Sequence, residues 1–201
     1  MSSVRQQNFI LRKEKILAMA ETLLLDNNQD ITLSELACEL DIAKGTIYKH
    51  FKSKNQLYLE LIILNEKRLL EISKKYNHDI KTYVSQYMLY NMLNSNRTIL
   101  LHVIEERLTN NERKLKELFE ELYRVREERI IVIKDMTSDY LKSLDSAMSI
   151  RDYLSYIWTV TYGASLLLNS THYQKSIGSR ERLIKLYINQ ALMTPDKISA
   201  V

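Results

Sequence analysis

The sequence predicts an all-α fold, with a small N-terminal three-helix DNA-binding domain followed by a C-terminal helical domain for ligand binding and dimerisation. Glycine and proline, which interrupt helices and shape hairpins, number only 3 and 1 among 201 residues. Apolar residues recur at helical spacing, first at Ile16, Met19, Ala20, Leu23 and Leu24. Capping pairs such as Thr32 with Glu35 precede several of these runs.

The N-terminal domain is predicted to span residues 1–55 and to hold three helices. The first covers about residues 8–26 and is followed by a polar break that ends at Asp30. The second helix begins after Thr32. Asp41 and Ile42 then form a turn, and the third helix covers about residues 44–51. This order is that of a helix-turn-helix unit.

The larger domain is predicted to span residues 56–201. Ser53 with Gln56 is expected to cap a long helix, residues 54–76, that joins the two domains. Further capping pairs are Thr109 with Glu112 and Ser149 with Asp152. The remaining predicted helices cover residues 79–93, 97–107, 110–144, 150–171 and 180–193.

Composition narrows the class of protein. The net charge of +4 gives a mild bias toward anionic partners. Cys38 is the only cysteine, which excludes an intramolecular disulfide and fits a reducing compartment. We expect a small buried core residue there rather than a redox sensor. Neither a signal peptide nor a membrane span is predicted, so the expected localisation is cytoplasmic, without membrane contact.

The segment from Ile42 to Gln56 has the chemistry of a DNA-reading helix, because it carries four lysines and no carboxylate. Ile47 and Phe51 are expected to hold its inner face against the domain core. The predicted base contacts come from Lys44, Thr46 and Lys49, and the predicted phosphate contacts from Tyr48, His50 and Lys54. Thr32, Ser34 and Gly45 complete the predicted DNA-binding set. The alternative is a solvated lysine-rich helix, but the capped helix-turn-helix context favours DNA.

This segment resembles the TetR family of bacterial transcriptional regulators. The matching residues are Thr32, Leu36, Ala37, the turn at Asp41 and Ile42, the run from Gly45 to Phe51, Ser53, Lys54 and Leu57. The resemblance implies a two-fold dimer on a palindromic operator, with a C-terminal helical domain that dimerises and commonly holds a small-molecule pocket. Two positions differ from the family pattern. Asp41 replaces a usual glycine, and Ala43 replaces a usual Ser or Thr cap, which weakens the cap by about 1 kcal/mol.

The last two long helices are apolar on more than one face, so each must bury two sides. Together with the resemblance, this pattern predicts that they form the dimer interface. The alternative is that one of them is fully internal. The predicted interface residues are Tyr153, Ile157, Ser165, Leu168, Ile184, Tyr187, Ile188 and Ala191.

A ligand pocket is predicted from tyrosine, methionine and polar residues in the body. Its predicted lining is Tyr87, Met88, Asn91, His102, Glu105, Trp158 and Tyr162. Residues of these types are also common in ordinary cores. A neutral or lipophilic effector, a small apolar or aromatic molecule, is favoured. His102 with Glu105 and Glu106 lacks a second cluster that would complete a metal site, so we expect neither a metal nor a cofactor.

The sequence thus predicts a dimeric DNA-binding repressor that a small effector releases from its operator. A regulator of the same fold controlled by a protein partner, or a DNA-bound scaffold, is the alternative. We expect no enzyme and no catalytic residues, because the sequence contains no nucleophile elbow, phosphate loop or zinc-protease motif.

Overall fold

The computed structural model of the chain describes residues 3–27, 30–109, 113–176, 178–193 and 195. Within these residues the chain forms ten α-helices and one short 3₁₀ helix, and no strand. The all-α prediction is therefore confirmed for the described part. The helices are α1 Val4–Asn27, α2 Leu33–Glu39, α3 Lys44–Tyr48, α4 Lys54–Lys75, α5 Ile80–Leu93, α6 Ser95–Thr109, α7 Lys116–Ser143, α8 Ile150–Asn169, α9 Thr171–Gln174 and α10 Arg180–Met193, with the 3₁₀ helix at Arg113–Leu115.

Local capping sets where the N-terminal helices begin. Thr32 Oγ1 accepts from the Glu35 amide at 3.1 Å, and Glu35 Oε2 accepts from the Thr32 amide at 2.7 Å. This reciprocal pair confirms the predicted capping box of α2. Ser53 likewise caps α4, but the side chain of Gln56 accepts from the Lys52 amide at 2.9 Å rather than from that of Ser53. The pair of Thr109 with Glu112 lies outside the described residues, because Glu112 is not among them.

The helix ends depart from the prediction at several places. α1 starts at Val4, earlier than expected, and α6 extends at both ends. The predicted helix 150–171 stops at Asn169, because Ser170 adopts an extended backbone and caps α9. The start predicted for α7, residue 110, lies outside the described residues.

Two hydrophobic clusters make up the core. The first joins the three N-terminal helices to the beginning of α4 and to parts of α6 and α7, with Ile47, Phe51 and Tyr58 completely buried. The second fills the body between α5, α7, α8 and α10, around Met88 and Tyr153. Since α4 contributes to both clusters, it physically connects them. The division of the chain at residue 55 stays a prediction.

Ion pairs also fasten the N-terminal helices to the body. The two terminal guanidinium nitrogens of Arg68 on α4 donate to the carboxylate of Glu21 on α1, at 2.6 and 2.7 Å, and Arg97 on α6 lies 3.5 Å from the same carboxylate. The side-chain amide of Asn96 donates to the Leu25 carbonyl at 3.2 Å. α1, α4 and α6 therefore meet at one polar junction. No helix in the described part of the chain is both long enough and apolar enough to cross a membrane.

Candidate nucleic-acid interface and effector cavity

The turn between α2 and α3 depends on Asp41. Its φ of 50° lies in the left-handed region, which an L-residue other than glycine rarely adopts. The backbone then closes on α2, because the Ile42 amide donates to the Ala37 carbonyl at 3.0 Å. At this position the family pattern has glycine, and the geometry gives the reason. Ala43 precedes α3 and supplies no side-chain cap bond.

α3 presents a cationic face while its other side is fixed. Ile47 and Phe51 are completely buried, as predicted, and the amides of His50 and Phe51 both donate to the Ile47 carbonyl at 2.9 Å. Lys44, Tyr48 and Lys49 are exposed, and Thr46 is half-buried. The regular helix ends at Tyr48, three residues before the predicted end.

The cations on this face are available to a ligand. Lys44, Lys49 and Lys52 form no ion pair with any residue that the structure describes. Gly45 is exposed and has open space where a Cβ would stand, so packing within the subunit does not require a glycine. A close approach to an external backbone, such as that of DNA, would require one.

His50 packs against α1. Its ring lies 4.1 Å from the ring of Phe9 on α1, and its Nδ1 is buried without a hydrogen-bond partner among the described residues. Burial, followed by the positive charges of Arg12, Lys13 and Lys49, lowers the pKa of His50 below its ordinary value of 6.5. The neutral imidazole is therefore favoured at pH 7, and the ring packs against α1, while the contact of His50 with a phosphate stays a prediction.

Lys54 is also engaged within the protein. Its Nζ lies 2.8 Å from the Asp30 carboxylate and above the ring of Tyr58. Asp30 further accepts from the Tyr58 hydroxyl at 2.9 Å and from Arg107 on α6 at 3.3 Å. A phosphate would have to compete with Asp30 for this ammonium group, so the structure weakens the prediction that Lys54 contacts DNA.

The structure places three further polar residues, two of them arginines, beside Thr46 and Lys49, and the sequence prediction did not include them. A surface cleft of about 480 Å³ is lined by Arg5, Asn8 and Arg12 of α1 together with Thr46 and Lys49 of the segment from Ile42 to Gln56. All three are exposed. Arg5 and Arg12 are seven residues apart, which places them on one helix face, and that spacing could have indicated them.

Cys38 is exposed, and the prediction of a buried core residue is wrong. The inward face of α2 is formed by Leu33, Leu36 and Ala37. A position next to Ala37 along the chain is turned about 100° around the helix, and at Cys38 that direction leads to solvent.

Six of the seven residues predicted for the effector pocket line one small cavity of about 70 Å³ beside α4, α5, α6 and α8. They are Tyr87, Asn91, His102, Glu105, Trp158 and Tyr162. Met88, the seventh, is completely buried in the body core. The Trp158 and Tyr162 rings stack at 5.4 Å, and the ring of His102 meets both edge-on, at 5.8 and 4.7 Å.

The carboxylates around this small cavity are already paired. Glu105 receives two hydrogen bonds from Arg126, at 2.6 and 2.8 Å, and Glu66 receives one from the same guanidinium at 3.0 Å. Arg129 lies 3.5 Å from the other oxygen of Glu66. These pairs link α4, α6 and α7. Among the described residues, no group of three metal-ligating side chains could hold a metal ion.

A second cavity, of about 720 Å³, opens between α5, α7 and α8 and shares Tyr87 and Trp158 with the small one. The sequence reasoning did not find it, because its walls come from three helices that are far apart in the chain. Its other lining residues are Tyr83, Arg129, Ile130, Ile133, Lys134, Ile150, Arg151, Leu154, Ser155, Ile157 and Thr159.

The predicted interface residues mostly face the interior of the chain's own fold. Six are buried within it, namely Tyr153, Ile157, Ser165, Leu168, Ile184 and Ala191, whereas Tyr187 and Ile188 are half-buried. A residue already covered inside the subunit cannot also contact a partner, so the structure corrects these six assignments. The outward faces of α8 and α10 instead expose Leu166, Leu186 and Met193.

Comparisons with known proteins match the N-terminal part of the chain. The family described as "Bacterial regulatory proteins, tetR family" matches residues 16–61, from α1 through the start of α4. The HTH-type transcriptional regulator QacR of Staphylococcus aureus (strain Mu50 / ATCC 700699) is 35% identical over 82 residues. That alignment covers 40% of this chain and 44% of the relative, less than half of either protein.

Proposed function

We propose that this chain is a dimeric repressor of the tetR family of bacterial regulatory proteins, bound to a palindromic operator until a small effector releases it. The observation that carries the proposal is the geometry of α3. Its inner side is fixed by Ile47 and Phe51, while Lys44 and Lys49 point away from the core without ion-pair partners among the described residues.

Four side chains on this surface are assigned contacts with DNA. We assign Lys44, Thr46 and Lys49 to base edges in the major groove, where lysine recognises guanine acceptors and a threonine methyl contacts thymine. Tyr48 is assigned to a phosphate oxygen. The cations of α1, Arg5 and Arg12, extend the phosphate contacts beyond α3 and increase the dependence of binding on salt.

Dimerisation supplies the second reading helix. A single α3 covers one half-site, and helix-turn-helix dimers bind two half-sites about 34 Å apart or a multiple of that distance. The exposed apolar side chains of α8 and α10, Leu166, Leu186 and Met193, are the surface that we assign to this contact.

Release is proposed to act through α4. This helix of 22 residues starts in the N-terminal core, and its Glu66 is held by Arg126 and Arg129 of α7 beside both cavities. A ligand that draws Arg129 away from Glu66 favours a different position of α4 relative to α7. The separation of the two reading helices then changes, and the dimer population shifts toward a form that fits the operator poorly.

Substitutions on α3 test the proposed function. We expect Lys49→Ala and Tyr48→Ala each to weaken operator binding by about tenfold, since one such contact contributes about 1–3 kcal/mol. Genomic footprinting with the purified protein supplies the operator, and gel shifts give the affinities. The matched control is Lys142→Ala, an exposed lysine near the end of α7. If both α3 variants bound like the wild type while remaining folded, the assignment of α3 would be wrong.

A further inference from the structure

We propose that the 720 Å³ cavity between α5, α7 and α8 binds an amphipathic organic anion, a molecule with one anionic head group and an apolar body. The binding site stands on its own observations. Its role in releasing DNA rests on the proposed function, which this inference deepens by naming the chemical class of the effector.

The size and walls of the cavity suit the apolar body. Pockets for small organic ligands commonly measure about 300–1,000 Å³ and are mostly apolar. Five aliphatic and three aromatic side chains line this one: Ile130, Ile133, Ile150, Leu154, Ile157, Tyr83, Tyr87 and Trp158. Burying an alkyl chain against them is favourable, because it removes apolar surface from water.

The charges of the cavity select the head group. Its lining contains Arg129, Lys134 and Arg151 and no aspartate or glutamate. Lys134 and Arg151 are exposed, and neither forms an ion pair with a residue in the described ranges. A cationic ligand would meet like charge here. An anionic head group would supply the missing partner, in a setting where charge-assisted hydrogen bonds are strong.

Arg129 adds a buried donor. Its Nη2 lies 3.5 Å from Glu66, and its Nε is buried with no hydrogen-bond partner among the residues that the structure describes. Unpartnered buried donors are rare because each is costly. A carboxylate in the cavity could accept from this guanidinium, and it would compete with Glu66 of α4 for the same charge.

The smaller cavity is a poorer candidate for such a ligand. At about 70 Å³ it is too small for an organic molecule, and both of its carboxylates are held by Arg126. The unpaired positive charge belongs to the larger cavity. The expected effector therefore carries an anionic head group on the lipophilic body that the sequence favours.

Trp158 allows a direct test, because it lines the cavity and is the only tryptophan in the chain. The purified full-length chain, without DNA, is titrated with dodecanoate, dodecanol or dodecyltrimethylammonium below their micellar concentrations while tryptophan emission is followed. We expect a saturable change with dodecanoate and an affinity about tenfold higher than for either analogue, the size of one charge-assisted hydrogen bond.

The cations are tested with a double variant. Because both side chains are exposed, Lys134→Gln with Arg151→Gln should leave folding intact, which thermal melting verifies. We expect this variant to lose about tenfold in dodecanoate affinity and to bind dodecanol unchanged. Lys142→Gln, on the same helix but outside the cavity, is the control and should bind dodecanoate like the wild type.

Three results would overturn the inference: no saturable change with dodecanoate, equal or tighter binding of the alcohol or the ammonium compound, or an unchanged affinity in the double variant. DNA binding is measured separately by gel shift without ligand. If the chain binds dodecanoate as expected but binds no operator, the ligand site is supported and the proposed function is contradicted. If the chain binds its operator but not dodecanoate, the proposed function is supported and the ligand site is contradicted.

Discussion

Asp41 shows how one residue positions the reading helix. Its φ of 50° allows the chain to reverse between α2 and α3, so that Ile47 and Phe51 enter the core. Aspartate tolerates this left-handed conformation better than most residues, but less well than glycine. The turn is therefore formed at a conformational cost, which substitutions can measure.

We expect Asp41→Gly to raise the free energy of unfolding by about 0.5–1 kcal/mol, and Asp41→Val to lower it by about 2 kcal/mol, because a β-branched residue is strongly disfavoured at positive φ. Urea unfolding followed by circular dichroism measures both values. Equal stabilities for the glycine and valine variants would contradict a left-handed turn at this position.

His50 gives the protein a pH-dependent stability. Its folded pKa is lowered from 6.5, first by burial and then by nearby Arg12, Lys13 and Lys49, so the unfolded chain takes up the proton first. The stability that neutral His50 contributes is complete above pH 6.5. It is lost as the pH falls from there through the folded pKa.

We therefore expect the melting temperature of the wild type to fall between pH 7.5 and pH 5, and His50→Gln to flatten this fall. Glu21 and Asp30, whose pKa values are lowered, titrate below this range and do not contribute to the fall. His172→Gln, an exposed histidine on α9, is the control. A His50→Gln profile as steep as that of the wild type would contradict a buried neutral imidazole.

Single positions also show where sequence reasoning stops. The burial of Ile47 and Phe51 could be predicted, because helical spacing and a nearby apolar helix determine which way these side chains point. The environments of His50 and Lys54 could not, because Phe9 and Asp30 reach them from other elements. Cys38 lies on a helix of seven residues, which is too short for its apolar pattern to fix every direction.

At the scale of elements, the junction of α1, α4 and α6 couples the N-terminal core to the body. Although burial raises the pKa of Glu21, its hydrogen bonds and ion pairs with Arg68 and Arg97 outweigh that effect and lower it. Only 16% of the Glu21 side chain and 12% of the Arg97 side chain are exposed. Removing the negative charge would leave a buried guanidinium unpaired.

We expect Glu21→Gln to lower the free energy of unfolding by about 1–3 kcal/mol, the cost of leaving a buried charged group without its partner. Glu181→Gln removes a carboxylate from a fully exposed pair with Lys185 and should cause no measurable loss. Urea unfolding compares the two variants. A loss no greater than that of the control would show that the junction contributes little.

Helices could be predicted more readily than the spaces between them. α10 has the predicted bounds, and the caps of α2 and α4 are where the sequence placed them. Apolar helices such as α8 and α10 do not reveal which stripe faces their own core, so six residues predicted for the interface are instead buried within the chain. The 720 Å³ cavity depends on how α5, α7 and α8 diverge, which no local pattern encodes.

At the scale of the whole molecule, the exposed Cys38 offers a measurement of dimer geometry. It is the only cysteine and lies on α2, within the proposed DNA-binding domain. A spin label at this position should give one distance between subunits in the two-fold dimer, and an effector should move that distance by a few ångströms. Double electron–electron resonance reads it, and Cys38→Ser is the unlabelled control. A monomer, or a distance unchanged by a ligand that releases DNA, would contradict the proposed switch.

The central claim is that two copies of α3 read a two-fold symmetric DNA site. Selection of bound sequences from random duplexes by the purified chain tests it most directly. We expect an enriched inverted repeat whose half-sites lie about 34 Å apart or a multiple of that distance, and loss of enrichment in the double variant Lys44→Ala with Lys49→Ala. No enrichment by the wild type, a motif without two-fold symmetry, or an unchanged motif in the double variant would contradict it.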